Sequence, residues 1–161
     1  MSLADFPKEG MSLSRDIPLE ASLFPEDLVS AVEGISLDMQ IQKMEKNFRL
    51  CGNLRWRLDL ICSRCLDPFP QSGVSEIRNS LQPPSLDPDP DAFTYEGEEF
   101  DLYDMARELV ELHLPMKPLC AEGCKGLCPV CGKNLNRKSC DCVPQGTDPR
   151  WNALEKLKKG V

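Results

Sequence analysis

The run Cys128-Pro129-Val130-Cys131-Gly132 limits what this chain can fold into more than any other feature of its sequence. Two thiols two residues apart, followed by glycine, make a turn that aims both sulfurs at one point. The glycine permits the positive φ that such a turn needs. Cys140 and Cys142 follow within the next eleven residues, so four thiolates are available for one tetrahedral zinc ion. Four further cysteines also come in pairs, Cys62 with Cys65 and Cys120 with Cys124. Eight paired cysteines permit two four-thiolate sites in several pairings. The first choice is Cys128, Cys131, Cys140 and Cys142 for one ion. Cys62, Cys65, Cys120 and Cys124 would then hold a second that staples the tail to the preceding sheet. The ninth cysteine, Cys51, is expected to be an ordinary core thiol.

The chemistry of the thiols narrows the class. The N-terminus has no basic region followed by an apolar stretch, and no apolar run reaches the roughly 20 residues that span a bilayer. The expected compartment is the cytoplasm, where disulfides are rare and clustered cysteines more often bind metal. All-thiolate sets favour zinc or iron–sulfur over harder cations, and four protein ligands leave no open catalytic position. A redox CxxC would open a helix in a βαβ setting, whereas Cys62 follows a strand pattern and precedes Leu66-Asp67-Pro68. No phosphate-cradling loop, nucleophile elbow or zinc-protease helix appears. His113, the only histidine, falls near the end of a helical pattern and reads as packed or capping rather than catalytic. The chain is therefore expected not to be an enzyme, to have no catalytic residues and no small-molecule substrate, and to use Zn2+ structurally.

Hydrophobic periodicity predicts the rest. Leu13–Leu19 is a candidate first strand, and a short helical turn is expected at Pro25. Ile35, Leu37, Met39 and Ile41 alternate with polar residues, and Phe48 and Leu50 continue that period. Gly52-Asn53 is a turn signal. Leu54, Trp56, Leu58 and Leu60 then alternate against Arg55, Arg57 and Asp59. A short strand is expected over Val74–Leu81, and Phe93 and Tyr95 suggest an edge strand. Asp101 reads as the N-cap of a helix that carries Leu102, Met105, Ala106, Leu109 and Val110 on one face and ends at Pro115 and Pro118. The predicted class is α+β, an antiparallel meander or partly open barrel closed by one main helix, with a cysteine-rich C-terminal module. The predicted domains are 1–114, with an acidic proline-rich loop at 82–92, and 115–161. The second ends in a helix capped at Asp148-Pro149-Arg150 that bears Trp151, Leu154 and Leu157.

Charge is unevenly placed. The net charge is −7, yet residues 79–106 hold eight acidic side chains and no Lys or Arg, which leaves about +1 for the remainder. Arg55, Arg57 and Arg64, on or near the polar side of the strands, and Lys125, Lys133, Arg137 and Lys138, around the cysteines, are candidate nucleic-acid contacts. Two zinc–tetrathiolate centres, each a net −2, would bring the basic tail close to neutral.

Several of these runs resemble a known family. Ile61-Cys62-Ser63-Arg64-Cys65-Leu66-Asp67-Pro68 is similar to the first signature of the YceD family, also called DUF177. Leu114 through Cys120, then Cys124-Lys125-Gly126-Leu127-Cys128 through Asn136, then Cys140-Asp141-Cys142, is similar to its second. Asp148-Pro149-Arg150 fits the family's usual ending. The resemblance covers the chain from about Ile35 onward. It implies a role in the accumulation of large-subunit ribosomal RNA, with that RNA, a pre-ribosomal particle or a ribosomal protein as partner. A sequence pI near 4.8 is unlike a bulk ribosomal protein and favours an assembly factor in ribosome biogenesis. The rival expectation is a zinc-dependent protein-interaction adaptor without RNA contact.

Overall fold

Strand alternation over a long mid-chain stretch builds the sheet that organises this protein. The structure, a computed structural model, describes residues 3, 6–7, 9–45, 47–84, 89, 92–95 and 97–143. The expected helix from Asp148 and most of the expected proline-rich loop lie outside the described residues. The chain divides into two compact units, one of Met1–Ser63 with Asp67–Cys120 and one of Arg64–Leu66 with Ala121–Val161.

In the first unit, β1 (Met11–Asp16), β2 (Val29–Lys43), β3 (Phe48–Ile61), β4 (Pro68–Gln82) and β5 (Ala92–Thr94) form one sheet in sequence order. β1 to β4 are antiparallel neighbours, but β5 joins β4 in parallel. The sheet is open, with β1 and β5 at its edges. The expected antiparallel meander holds for β1 to β4, while β5 departs from it by pairing in parallel, and the sheet is open rather than a partly open barrel. β4 is also much longer than the expected Val74–Leu81, because Pro68 to Gly73 pair with Ile61 to Trp56 despite their weak strand propensity.

Gly52-Asn53 is not a turn. Gly52 lies mid-strand opposite Met39, where a Cβ would sit 2.2 Å from the Asp38 carbonyl oxygen and 2.7 Å from the Met39 Cα. The glycine serves close backbone approach, not chain reversal. The reversal comes earlier, where the Met44 N–H donates to the Asn47 carbonyl at 2.8 Å. Register shifts near Val29 to Gly34 mark irregular pairing at the start of β2.

One sheet face is apolar, as the alternation requires. Ile35, Leu37, Met39 and Ile41 of β2 and Leu50, Leu54, Trp56, Leu58 and Leu60 of β3 are all buried. The helix α1 (Leu102–Glu111) lays Leu102, Met105, Ala106, Leu109 and Val110 into the same core. Asp101 caps it, accepting from the Tyr103 N–H at 2.7 Å. The helix stops at Glu111, four residues before Pro115, whose ring would clash with the Glu111 carbonyl in a continued helix. The N-terminal segment adds Leu3 and Phe6 to this core, with Phe6 edge-on to Phe48 at 5.1 Å. A single turn forms at Pro25, whose carbonyl accepts from Leu28 and Val29. It is preceded by a 3-10 turn at Ala21–Leu23.

One buried polar side chain links sheet and helix. Ser75 of β4 accepts from the Trp56 indole N–H at 3.2 Å and lies 3.2 Å from the Leu109 carbonyl, to which its hydroxyl donates. His113 Nδ1 reaches the same carbonyl at 2.8 Å. His113 thus caps the helix end. Gly73 makes room for the Trp56 ring, since a Cβ there would stand 2.3 Å from Cζ2. Cys51 is exposed on the opposite face of β3, not buried in the core, because the strand period places it between Leu50 and Gly52 on the polar side.

Candidate metal centres

Local turn chemistry shapes the knuckle. Gly126 and Gly132 both take φ of +71°, the left-handed conformation that favours glycine. The Gly132 N–H donates to the Cys128 carbonyl at 2.9 Å, and the Cys128 N–H to the Lys133 carbonyl at 2.8 Å. A bridge between Leu127 and Asn134 closes the small hairpin. Cys128, Cys131, Cys140 and Cys142 bring their sulfurs within 4.8 Å of one another. A tetrahedral site with Zn–S bonds of ~2.3 Å places sulfurs about 3.8 Å apart, which lies within that separation.

The same four thiols perturb one another. Cys128 falls to about 6, because the Cys131 and Val130 N–H groups and then the Cys140 thiol hydrogen-bond its thiolate. Cys142 is pushed up to about 12 by the hydrogen bond with Cys131, then by burial and Cys140. Cys140 is raised too: the Cys142 N–H lowers it, but Cys128 and burial outweigh that. Four thiols this close cannot all ionise without a cation among them. A divalent metal removes that conflict.

Cys62, Cys65, Cys120 and Cys124 form the other group, with sulfurs also within 4.8 Å of one another. Cys62 and Cys65 sit in the connection between β3 and β4, where Leu66 holds a φ of +59°. The Cys62 N–H donates to the Asp67 carbonyl at 3.0 Å, and the Ser63 N–H to the Pro118 carbonyl at 2.8 Å. Cys62, Cys65 and Cys124 are buried and Cys120 is exposed. Donors point at the sulfurs: the Cys120 N–H at Cys62 Sγ, 3.5 Å, and Asn136 Nδ2 at Cys124 Sγ, 3.3 Å. Such donors orient thiolate ligands and moderate their charge. The eight paired cysteines thus lie in two groups of four, each of which could hold a metal ion. Both donor sets are soft and fit zinc.

Asn136 was not singled out from the sequence. Its Oδ1 accepts from the Lys125 N–H at 2.8 Å, and its own N–H donates to Asn134 Oδ1 at 2.9 Å. The Asn134-Leu135-Asn136 spacing, which suits an Asx turn, is the signal that could have found it.

The candidate nucleic-acid residues divide between the two units. Arg55 pairs with Asp38 across the strands, and Arg57 lies 3.6 Å from Glu33. The Ser14 hydroxyl and Arg55 together hold Asp38 below the usual carboxylate range. Arg64, though exposed, donates within the second unit to the carbonyls of Cys124 at 3.0 Å and Glu122 at 3.3 Å. Lys125, Lys133, Arg137 and Lys138 are exposed around the knuckle. Among the described residues no helix is long and apolar enough to cross a membrane.

Comparison with known proteins gives this geometry a context. A chloroplast protein of Arabidopsis thaliana, named large ribosomal RNA subunit accumulation protein YCED homolog 1, is 27% identical over 157 residues, covering 78% of this chain and 49% of its own length. Its Zea mays counterpart is 24% identical over 151 residues, covering 71% of this chain and 52% of its own. This chain thus spans about half the length of these plant relatives. An uncharacterized protein of Mycobacterium tuberculosis is 27% identical over 146 residues, covering 81% of this chain and 66% of its own length. No solved structure matches. The profile described as large ribosomal RNA subunit accumulation protein YceD matches residues 50–158, which take in all eight paired cysteines, and the chain belongs to that family.

Proposed function

We propose that this chain is a non-enzymatic ribosome-biogenesis factor of the cytoplasm that supports accumulation of large-subunit ribosomal RNA and carries two structural zinc ions. The family match over residues 50–158 is the observation that supports the role most strongly. The two four-thiol groups support the zinc, because no water-bearing position is left in a four-thiolate set. On this reading residues 1–114 are the α+β domain and 115–161 the metal-dependent module. Contact with RNA is assigned first to Lys125, Lys133, Arg137 and Lys138, which are exposed around the knuckle, while Arg55 and Arg57 face carboxylates and Arg64 donates to backbone carbonyls. Those commitments of the sheet arginines favour a second reading, an adaptor that touches only a ribosomal protein.

The test is gradient sedimentation of the tagged protein from growing cells. Co-sedimentation with immature large-subunit particles is expected, as is loss of that association on nuclease treatment and at raised salt. Association that survives both treatments would favour the adaptor. Absence from every particle fraction, with unchanged ribosomal RNA levels on depletion, would overturn the proposal.

A further inference from the structure

A groove of about 320 Å³ runs between α1 and the edge strand β5, wholly within the first unit. Phe93 of β5, Phe100, Met105 and Leu109 supply its apolar lining, beside the polar Asn79 and Thr94. At one end Leu112 is 74% exposed, an unusual position for a leucine that has a core beside it. The helix side of the rim is acidic, with Asp101, Asp104 and Glu108 one turn apart. Neither Asp101 nor Glu108 makes an ion pair among the described residues, and Asp104 has only Arg107 at 3.9 Å. Asp101 and Asp104 belong to the 79–106 stretch, where eight acidic side chains occur with no Lys or Arg, and Glu108 follows it after Arg107. A volume at the low end of ligand pockets admits one or two bulky side chains rather than a cofactor.

We propose that this groove docks a lysine- or arginine-rich segment of a protein partner. One large apolar side chain of that segment enters between Phe93 and Leu109, and its flanking cations face Asp104 and Glu108. The apolar lining supplies the anchor and the rim supplies orientation and selection for basic sequences. A nucleic acid is disfavoured at this rim by its own charge. The inference rests on the described residues between 79 and 112 and draws nothing from the cysteines.

The test uses the isotope-labelled full chain and a fluorescent 14-residue amphipathic peptide of lysine and leucine, with a glutamate–leucine peptide as control. Saturable anisotropy is expected for the lysine peptide only, with amide shifts concentrated at residues 93–112. The double variant Asp104→Lys/Glu108→Lys, and separately Leu112→Asp, should each weaken binding at least tenfold while thermal unfolding stays put, because all three side chains are exposed. Equal binding by the variants, or shifts centred elsewhere, overturns the proposal. So does self-association lost in the same variants, or cross-saturation placing the chain's own residues 144–161 in the groove.

Discussion

Ser75 carries more than its size suggests. Its hydroxyl is the partner of the Trp56 indole and a donor to the Leu109 carbonyl, and it is fully buried. Ser75→Ala removes both bonds and leaves a buried N–H unpaired. It should cost about 1–3 kcal/mol, read as a lower urea midpoint at unchanged slope. Ser75 was not legible in the sequence, because nothing in a strand period distinguishes a core serine from a surface one. Its role follows only from the space that Gly73 leaves for Trp56. Cys128 shows the opposite case, since its part in the knuckle is written in five consecutive residues.

At the scale of elements, periodicity located β2, β3 and α1 because each has one wet face and one dry face. It failed at Gly52, where the dipeptide that usually reverses a chain instead lets two backbones approach. Gly52→Ala forces a methyl against the Asp38 carbonyl, an atom that cannot rotate away. Destabilisation of roughly 1–3 kcal/mol is expected in equilibrium unfolding. The parallel pairing of β5 was equally hidden, because three residues carry no directional signal and the preceding connection decides their sense. Met105, fully buried on α1, reports the helix–sheet contact, and Met105→Ala should cost about 2–5 kcal/mol by the same measurement.

For the whole molecule, metal and proton compete for the same sulfurs. Cys128 is ionised above about 6, whereas Cys142 holds its proton up to about 12. A zinc ion bound there, as proposed, would therefore displace protons even near neutrality, and below about pH 6 it would displace one more. Affinity falls as pH falls, so a chromophoric chelator should capture zinc progressively more readily from pH 7.5 to pH 5. Complete chelation at neutral pH should abolish amide-exchange protection within residues 121–143, which have few large apolar side chains to hold them. The strands β2 to β4 should keep theirs, since their protection comes from Leu37, Leu50, Leu54 and Ile77. The knuckle set was readable because its members are close in sequence. The other set depends on where a strand connection and a post-helical segment end up, which spacing alone does not dictate.

The order of the sheet has a consequence for synthesis. Each of β2, β3 and β4 pairs with the strand made just before it, so successive hairpins can close as the chain emerges. Cys62 and Cys65 cannot be completed on that schedule, because Cys120 is made 58 residues after Cys62. At about 5–20 residues per second the wait is roughly 3–12 s for every copy made. Through that interval the nascent Cys62–Cys65 pair stands without the two cysteines it groups with in the folded chain.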